Sequence, residues 1–381
     1  MRHAAVVRLA TAMLVAIPLL VTAPPLWAAT LAVPDQYPTI AAALDAATAG
    51  DFVLVGCGTF RERNLQMKAG VSLWSATLQP DCTVIDAEGR GRVLVFDACD
   101  TTTAVVGLTL RGGFTANDGG AVLCRDAAPR IARCRIEASE ARRGGGLAAS
   151  GARGPVLEDC VVTGNTGDLL GGGIFWNAAG SSRLSRCVIA DNTSGTGGGV
   201  AVADAGDLLV EHGDLRDNEA GGLGGGLWVG GGLVIVRDTV IARNVGGLGG
   251  GAVATLRARP QLVGCTLVDN RSDAGGHAVE LGRGSLVAQR MLLAYNQPGA
   301  IGGAPAAPSD LTHCDIHGHP AGDWTGPVAD LLGRQGNFSA DPRFCDRTAG
   351  VYSLRVGSPC LPGGRPGVGT VQVGALGEGC R

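Results

Sequence analysis

Seven residues near the C-terminus, "HCDIHGH" at 313–319, hold three of the chain's six histidines. Strict alternation would set His313, Asp315, His317 and His319 on one face, a nitrogen and oxygen donor set suited to a divalent transition metal. His319, however, follows Cys314 by five residues, the offset at which Asn165 follows Cys160, so it reads as the replacement of a recurring turn residue. Asp191, Asp217 and Asp269 each precede an asparagine. The nine-residue glycine–aspartate period of calcium-binding repeats is missing, and these aspartates read as solvated turn residues. Twelve cysteines contain no Cys-x-x-Cys pair, which argues against zinc. The sequence therefore assigns no metal, no cofactor and no catalytic residue.

A repeat supplies the framework for these residues. In "GGLGGGLWVGGG" (221–232) eight of twelve residues are glycine, and the whole chain has 63. The aliphatic residue after each glycine group is Val122, Leu147, Ile174, Val200, Leu227, Val253 or Val279, at intervals of 25, 27, 26, 27, 26 and 26 residues. A second marker keeps the same phase: Asn165, Asn192, Asn218, Asn244, Asn270 and Asn296. Short apolar runs such as "CVIADN" precede these asparagines, which is a strand signal rather than a helical one. Three short strands and three turns fill such a unit. Stacked in register about 4.8 Å apart, the units form an all-β parallel β-helix, with roughly ten coils between Asp51 and Gly303. Glycine allows the positive φ of a sharp corner, and stacked asparagines can form a hydrogen-bonded ladder along the rod.

The composition, 45% hydrophobic and 17% charged, supports a large core. Arg2 and Arg8, the apolar run Leu9 to Val21 and the small residues Ala28 and Ala29 have the layout of a signal peptide over 1–28, cut near Ala28. A secreted, extracellular, cell-surface or periplasmic protein is expected, with no integral membrane segment beyond that leader. Losing Arg2 and Arg8 moves the formal charge from −3 to −5, which disfavours nucleic acid as a partner. "TIAAALDAATAG" predicts a helix capped by Thr39 and ended near Gly50, within an N-terminal cap over 29–50 that closes the open end of the stack. Residues 304–381 are expected to form an irregular C-terminal cap.

The glycine-plus-aliphatic element "GGGI" together with "CVIADN" resembles the secreted right-handed parallel β-helix proteins of the pectin-lyase-like class, especially those with polymorphic outer-membrane-protein-type repeats. The resemblance covers about residues 33–303 and implies a right-handed solenoid. No amphipathic β-barrel region follows, a departure from the autotransporter members. The carboxylate, Arg and His motifs that β-helix pectinesterases, polygalacturonases and lyases use are not found; "EHGD" at 211–214 is only superficially similar.

If the aliphatic markers point inward, the next residues point outward: Leu123, Ala148, Phe175, Ala201, Trp228, Ala254 and Glu280. This apolar strip makes Phe175 and Trp228 the candidate binding face, for sugar rings or a protein partner. Cys57 with Cys82, and Cys99 with Cys124, stand 25 residues apart, about one coil, and are placed to form disulfides. Cys134, Cys160, Cys187 and Cys265 recur at one position and read as buried small residues. The function expected is a non-catalytic surface, adhesion or polysaccharide-binding protein whose partners are polysaccharide or cell-surface components. The alternative is a carbohydrate-active lyase, hydrolase or esterase.

Overall fold

The computed structural model describes residues 28–180, 182–203, 206–365 and 371–381. The expected leader lies outside the described residues except for Ala28. A coil from the middle shows the plan: Leu208–Glu211, Asp214–Arg216, Glu219–Ala220 and Leu227–Val229 follow one another around the rod. Each stacks on its counterparts to build sheets A, B, C and D in that order, of twelve, eleven, seven and ten parallel strands. Sheet A runs from Thr30–Val33 to Asp310–Thr312, so the stack extends beyond residues 51–303 at both ends and has about twelve coils rather than ten. Where three strands per coil were expected, the central coils have four. The additional one, sheet C, is the short arc between the asparagine turn and the glycine corner.

Register holds residue against residue, as in Leu157, Leu184, Val210 and Val236 of successive sheet A strands. Period-2 alternation sends these inward with Ile189 and Leu215 of sheet B and Ile174, Val200 and Leu227 of sheet D, all at most 1% exposed. One continuous core fills the rod. Trp176 is wholly buried in it, and its indole N–H donates to Ser182 Oγ at 2.7 Å.

The six asparagines form a single column at the turn from sheet B to sheet C. Asn218 is typical. Its backbone N–H and Nδ2 both donate to Asn244 Oδ1, at 3.0 and 2.9 Å, and Nδ2 also donates to Ile189 O at 2.8 Å. The pattern runs unbroken from Asn165 to Asn296, with each residue at most 1% exposed. His319 continues it, since Asn296 Nδ2 donates to its Nε2 at 3.2 Å while Nδ1 faces Asp323 Oδ1 at 3.0 Å. His319 is thus the turn-residue replacement expected from its spacing. At the glycine corner, Gly226 lies against this column: a Cβ there would stand 2.7 Å from Ala252 O and 3.1 Å from Asn244 Nδ2.

Both ends are closed. Helix α1 (Ile40–Ala46) buries Ile40, Ala43 and Leu44; Thr39 Oγ1 accepts from Ala42 N, and Glu62 accepts from the N–H groups of Ile40 and Ala41. At the other end Trp324 and Leu331 pack on the core beside the buried Val328. The chain then doubles back, laying Phe338, Phe344, Tyr352, Leu354, Cys360 and Val373 over the outer face of sheet B, on Val240, Ala242, Val268 and Leu292. Cys345–Cys380 ties this closing segment together, and Cys57–Cys82 is the second disulfide. Cys99 and Cys124 are free and buried, contrary to the expected pairing. Register puts Phe96 opposite Cys124, which leaves Cys99 three residues farther on, in the turn. Cys134, Cys160, Cys187 and Cys265 are buried, each thiol donating to a carbonyl of the preceding coil.

Replacing Asn218 with Ala removes the acceptor of the Asn192 backbone N–H, one of three acceptors of Asn192 Nδ2, and the side-chain donor to the Ile189 carbonyl. The expected cost is about 2–4 kcal/mol, read as a lower urea midpoint than wild type.

Candidate ligand-binding face

On each sheet A strand two side chains flank the inward one and point out. The first position reads Arg130, Val156, Arg183, Leu209 and Ile235 through the middle coils; the second reads Ala132, Glu158, Ser185, Glu211 and Arg237. Neighbouring coils exchange ion pairs diagonally, Arg130 Nη2 to Glu158 Oε2 at 2.6 Å and Arg183 to Glu211. Burial pushes the Glu211 carboxyl up, but Arg183 and Ser185 outweigh it and hold the group below its ordinary range. Beside these pairs Val156, Leu209, Leu233 and Ile235 line a shallow groove of about 420 Å³, with Arg183 and Asp207 at its rim. Leu233 is 51% exposed. Toward the N-terminal end of the same sheet Phe52 and Trp74, both half-buried, meet edge to face with centroids 5.1 Å apart. Sequence reasoning missed this pair, although alternation in "FVLV" and "SLWS" contained the signal.

The predicted face is placed differently. Phe175 is only 2% exposed, in a small second core with Leu123, Ala148 and Ala201. Arg143 covers its ring at 4.7 Å and is itself held by two bonds of 2.7 Å to Asp118. Trp228 packs half-buried against the same cluster. The alternation was right, but sheet C and the glycine corner fold directly over the outward row. Gly224 has φ +71°, and a Cβ on it would stand 2.9 Å from Trp228 Cβ. Phe175 therefore has no ring face to offer a ligand.

Of the "HCDIHGH" residues, Asp315 and His319 are buried while His313 and His317 are half-buried. Among the described residues, no three His, Cys, Asp or Glu side chains converge as metal ligands. Asp217 holds Arg243 in two bonds of 2.8 and 2.6 Å, and Asp269 takes Arg347 at 2.7 Å; these aspartates anchor arginines at the turn. Between sheet B and the closing segment, Asp214, Arg216, Arg243 and Tyr352 line a cavity of about 460 Å³ together with Val240 and Leu376. Away from this cavity, at the C-terminal end of sheet B, Asp315 is fully buried, accepting from Ala340 N at 3.0 Å and from the Cys360 thiol at 3.2 Å. Burial pushes its carboxyl up to about 7 against those bonds.

The protein is a parallel β-solenoid in which sheet A keeps a long accessible outer face. The family model described as "Right handed beta helix region" matches residues 81–233 and 120–290, which together span more than half of the chain. The chain belongs to that family. No curated protein sequence matches it. Among solved structures it is similar to pectate lyase Pel9A, with TM-score 0.55 and 10% identity over 92% of this chain and 96% of that one. It is also matched to the pectin methylesterase from Aspergillus niger, with TM-score 0.41 and 15% identity over 87% and 95%. At these identities the likeness to the lyase is one of fold.

Asp315 makes stability depend on pH. Its folded value near 7 lies above the ordinary 3.8, so the folded state holds the proton more tightly. The contribution of this one group is largest below about pH 4, falls as pH rises toward 7 and is flat above it, a total change of a few kcal/mol. Asp315→Asn is expected to be more stable than wild type at pH 8 and to lose this part of the pH dependence, as read from urea denaturation at pH 4, 6 and 8.

Proposed function

We propose that this protein is a secreted, non-catalytic β-helix that binds polysaccharide, or another cell-surface component, along the outer face of sheet A. The observation that carries the reading is how the sheet faces are covered. The outward row of sheet D is buried under the glycine corner, and sheet B is covered from Val240 onward by the closing segment. Sheet A keeps apolar groove, aromatic pair and ion-paired arginines half-buried or exposed along one side of the rod. Apolar side chains beside fixed charged groups suit a ligand with both carbon–hydrogen faces and hydroxyl groups. An extended, flat site favours a polymer over a compact molecule. The leader expected over residues 1–28 supports export. The competing reading, a carbohydrate-active enzyme, draws its support from the cavity that gathers Asp214, Arg216, Arg243 and Tyr352.

Binding to a panel of acidic and neutral polysaccharides tests the proposal, with release of unsaturated or reducing ends followed in the same tubes. Leu209→Ala with Ile235→Ala is expected to weaken binding about tenfold, while Trp228→Ala leaves it unchanged. Chain cleavage that Asp214→Asn abolishes would favour the enzyme, and unchanged binding in the Leu209, Ile235 double variant would remove the sheet A site.

A further inference from the structure

Along the margin of sheet A, where the chain arrives from sheet D, surface character changes from coil to coil. Register places Asp207, Leu233 and Arg259 at equivalent positions of three successive coils. Arg257 and Arg283 occupy equivalent positions of the next turn region, each two residues beyond the paired Thr255 and Leu281. These two arginines line one cavity of about 580 Å³ with Leu256, Glu280 and Gly282. Arg237 lies at the opposite edge of sheet A, in register with Val263, and is not part of this group.

Several outward arginines of the central coils hold an acid from a neighbouring coil, as Arg130, Arg183 and Arg186 do. Among the described residues, the side chains of Arg237, Arg257, Arg259 and Arg283 form no ion pair and no hydrogen bond, and all four are exposed. The one acid lining their cavity, Glu280, is engaged by His277, whose Nδ1 stands 3.1 Å from Oε2 and whose backbone N–H donates to the same oxygen at 3.2 Å. In a chain of formal charge −3, Arg257, Arg259 and Arg283 thus stand together at this margin without an acidic partner.

We propose that Arg257 and Arg283 form a subsite for the acidic groups of a glycan, so that the polysaccharide bound on sheet A bears carboxylate or sulfate substituents. This rests on the polysaccharide reading above and narrows it. A guanidinium presents a planar fork of donors that matches either oxyanion. Two of them one coil apart, about 4.8 Å along the rod, suit a ligand whose acidic groups recur closely rather than sparsely. The apolar groove at Leu209 and Ile235 takes the uncharged part of the same chain.

The test compares wild type, Arg257→Glu with Arg283→Glu, and Arg334→Glu as a control in the C-terminal cap, by calorimetry at low and high salt. The probes are polygalacturonate for carboxylate, dextran sulfate for sulfate, and dextran as the neutral arm. Wild type is expected to bind an acidic probe at least tenfold more tightly than dextran, with the margin shrinking in salt. The double reversal removes that margin without changing dextran binding, and the control behaves as wild type. Equal affinity of wild type and double variant for the acidic probes overturns the arginine subsite while leaving the sheet A reading intact. Failure of wild type to bind all three overturns both.

Discussion

The structure depends on how the rod satisfies backbone and amide groups at the corner between sheets B and C. A solenoid turn there buries polar atoms that water cannot reach, and an unpaired one is costly. The asparagine column meets that demand in a way that also fixes register. Each carboxamide oxygen accepts two donors from the coil before it, so a slip of one residue in any coil breaks bonds on both sides. Since residues alternate in and out along a strand, the same slip would expose the core. The ladder is therefore a device for alignment as much as for stability.

That column reaches into the rest of the architecture. Gly226 stands close enough to Asn244 Nδ2 that a side chain would have to displace the ladder, and Gly224 brings the chain down on Trp228. The glycine corner then covers the outward row of sheet D and turns it into a second core. Likewise the closing segment covers the apolar end of sheet B. Sheet A, which neither device reaches, keeps an outer face that a long ligand can follow. Which face is open is thus a consequence of where glycine and asparagine sit in the repeat.

Much of this was legible in the sequence, because a 26-residue period kept by two independent markers leaves few structures able to satisfy it. The inward row, the ladder, the helix after Thr39 and the role of His319 all follow from local spacing. The fourth strand did not. Sheet C is as short as Glu219–Ala220, without an apolar pattern of its own, and overlooking it made Phe175 look exposed. Cys99 and Cys124 were misjudged because a separation of one coil in sequence does not specify opposite positions in the register. Phe52 and Trp74 were missed because attention went to the glycine-marked strands. Asp315 with Cys360 lies beyond sequence reasoning altogether, being a contact between two segments 45 residues apart that only the doubling-back of the chain brings together.

The central claim is that six side-chain amides are locked in one buried column. Hydrogen exchange of the asparagine carboxamide protons, followed by NMR on protein labelled at asparagine, measures this directly. Asn165, Asn192, Asn218, Asn244, Asn270 and Asn296 are expected to show slow exchange, since each Nδ2 donates within the ladder and is shielded from water. The exposed Asn117 serves as the fast-exchanging reference. If the six exchange as rapidly as Asn117 under native conditions, the column does not exist in solution and the account built on it is contradicted.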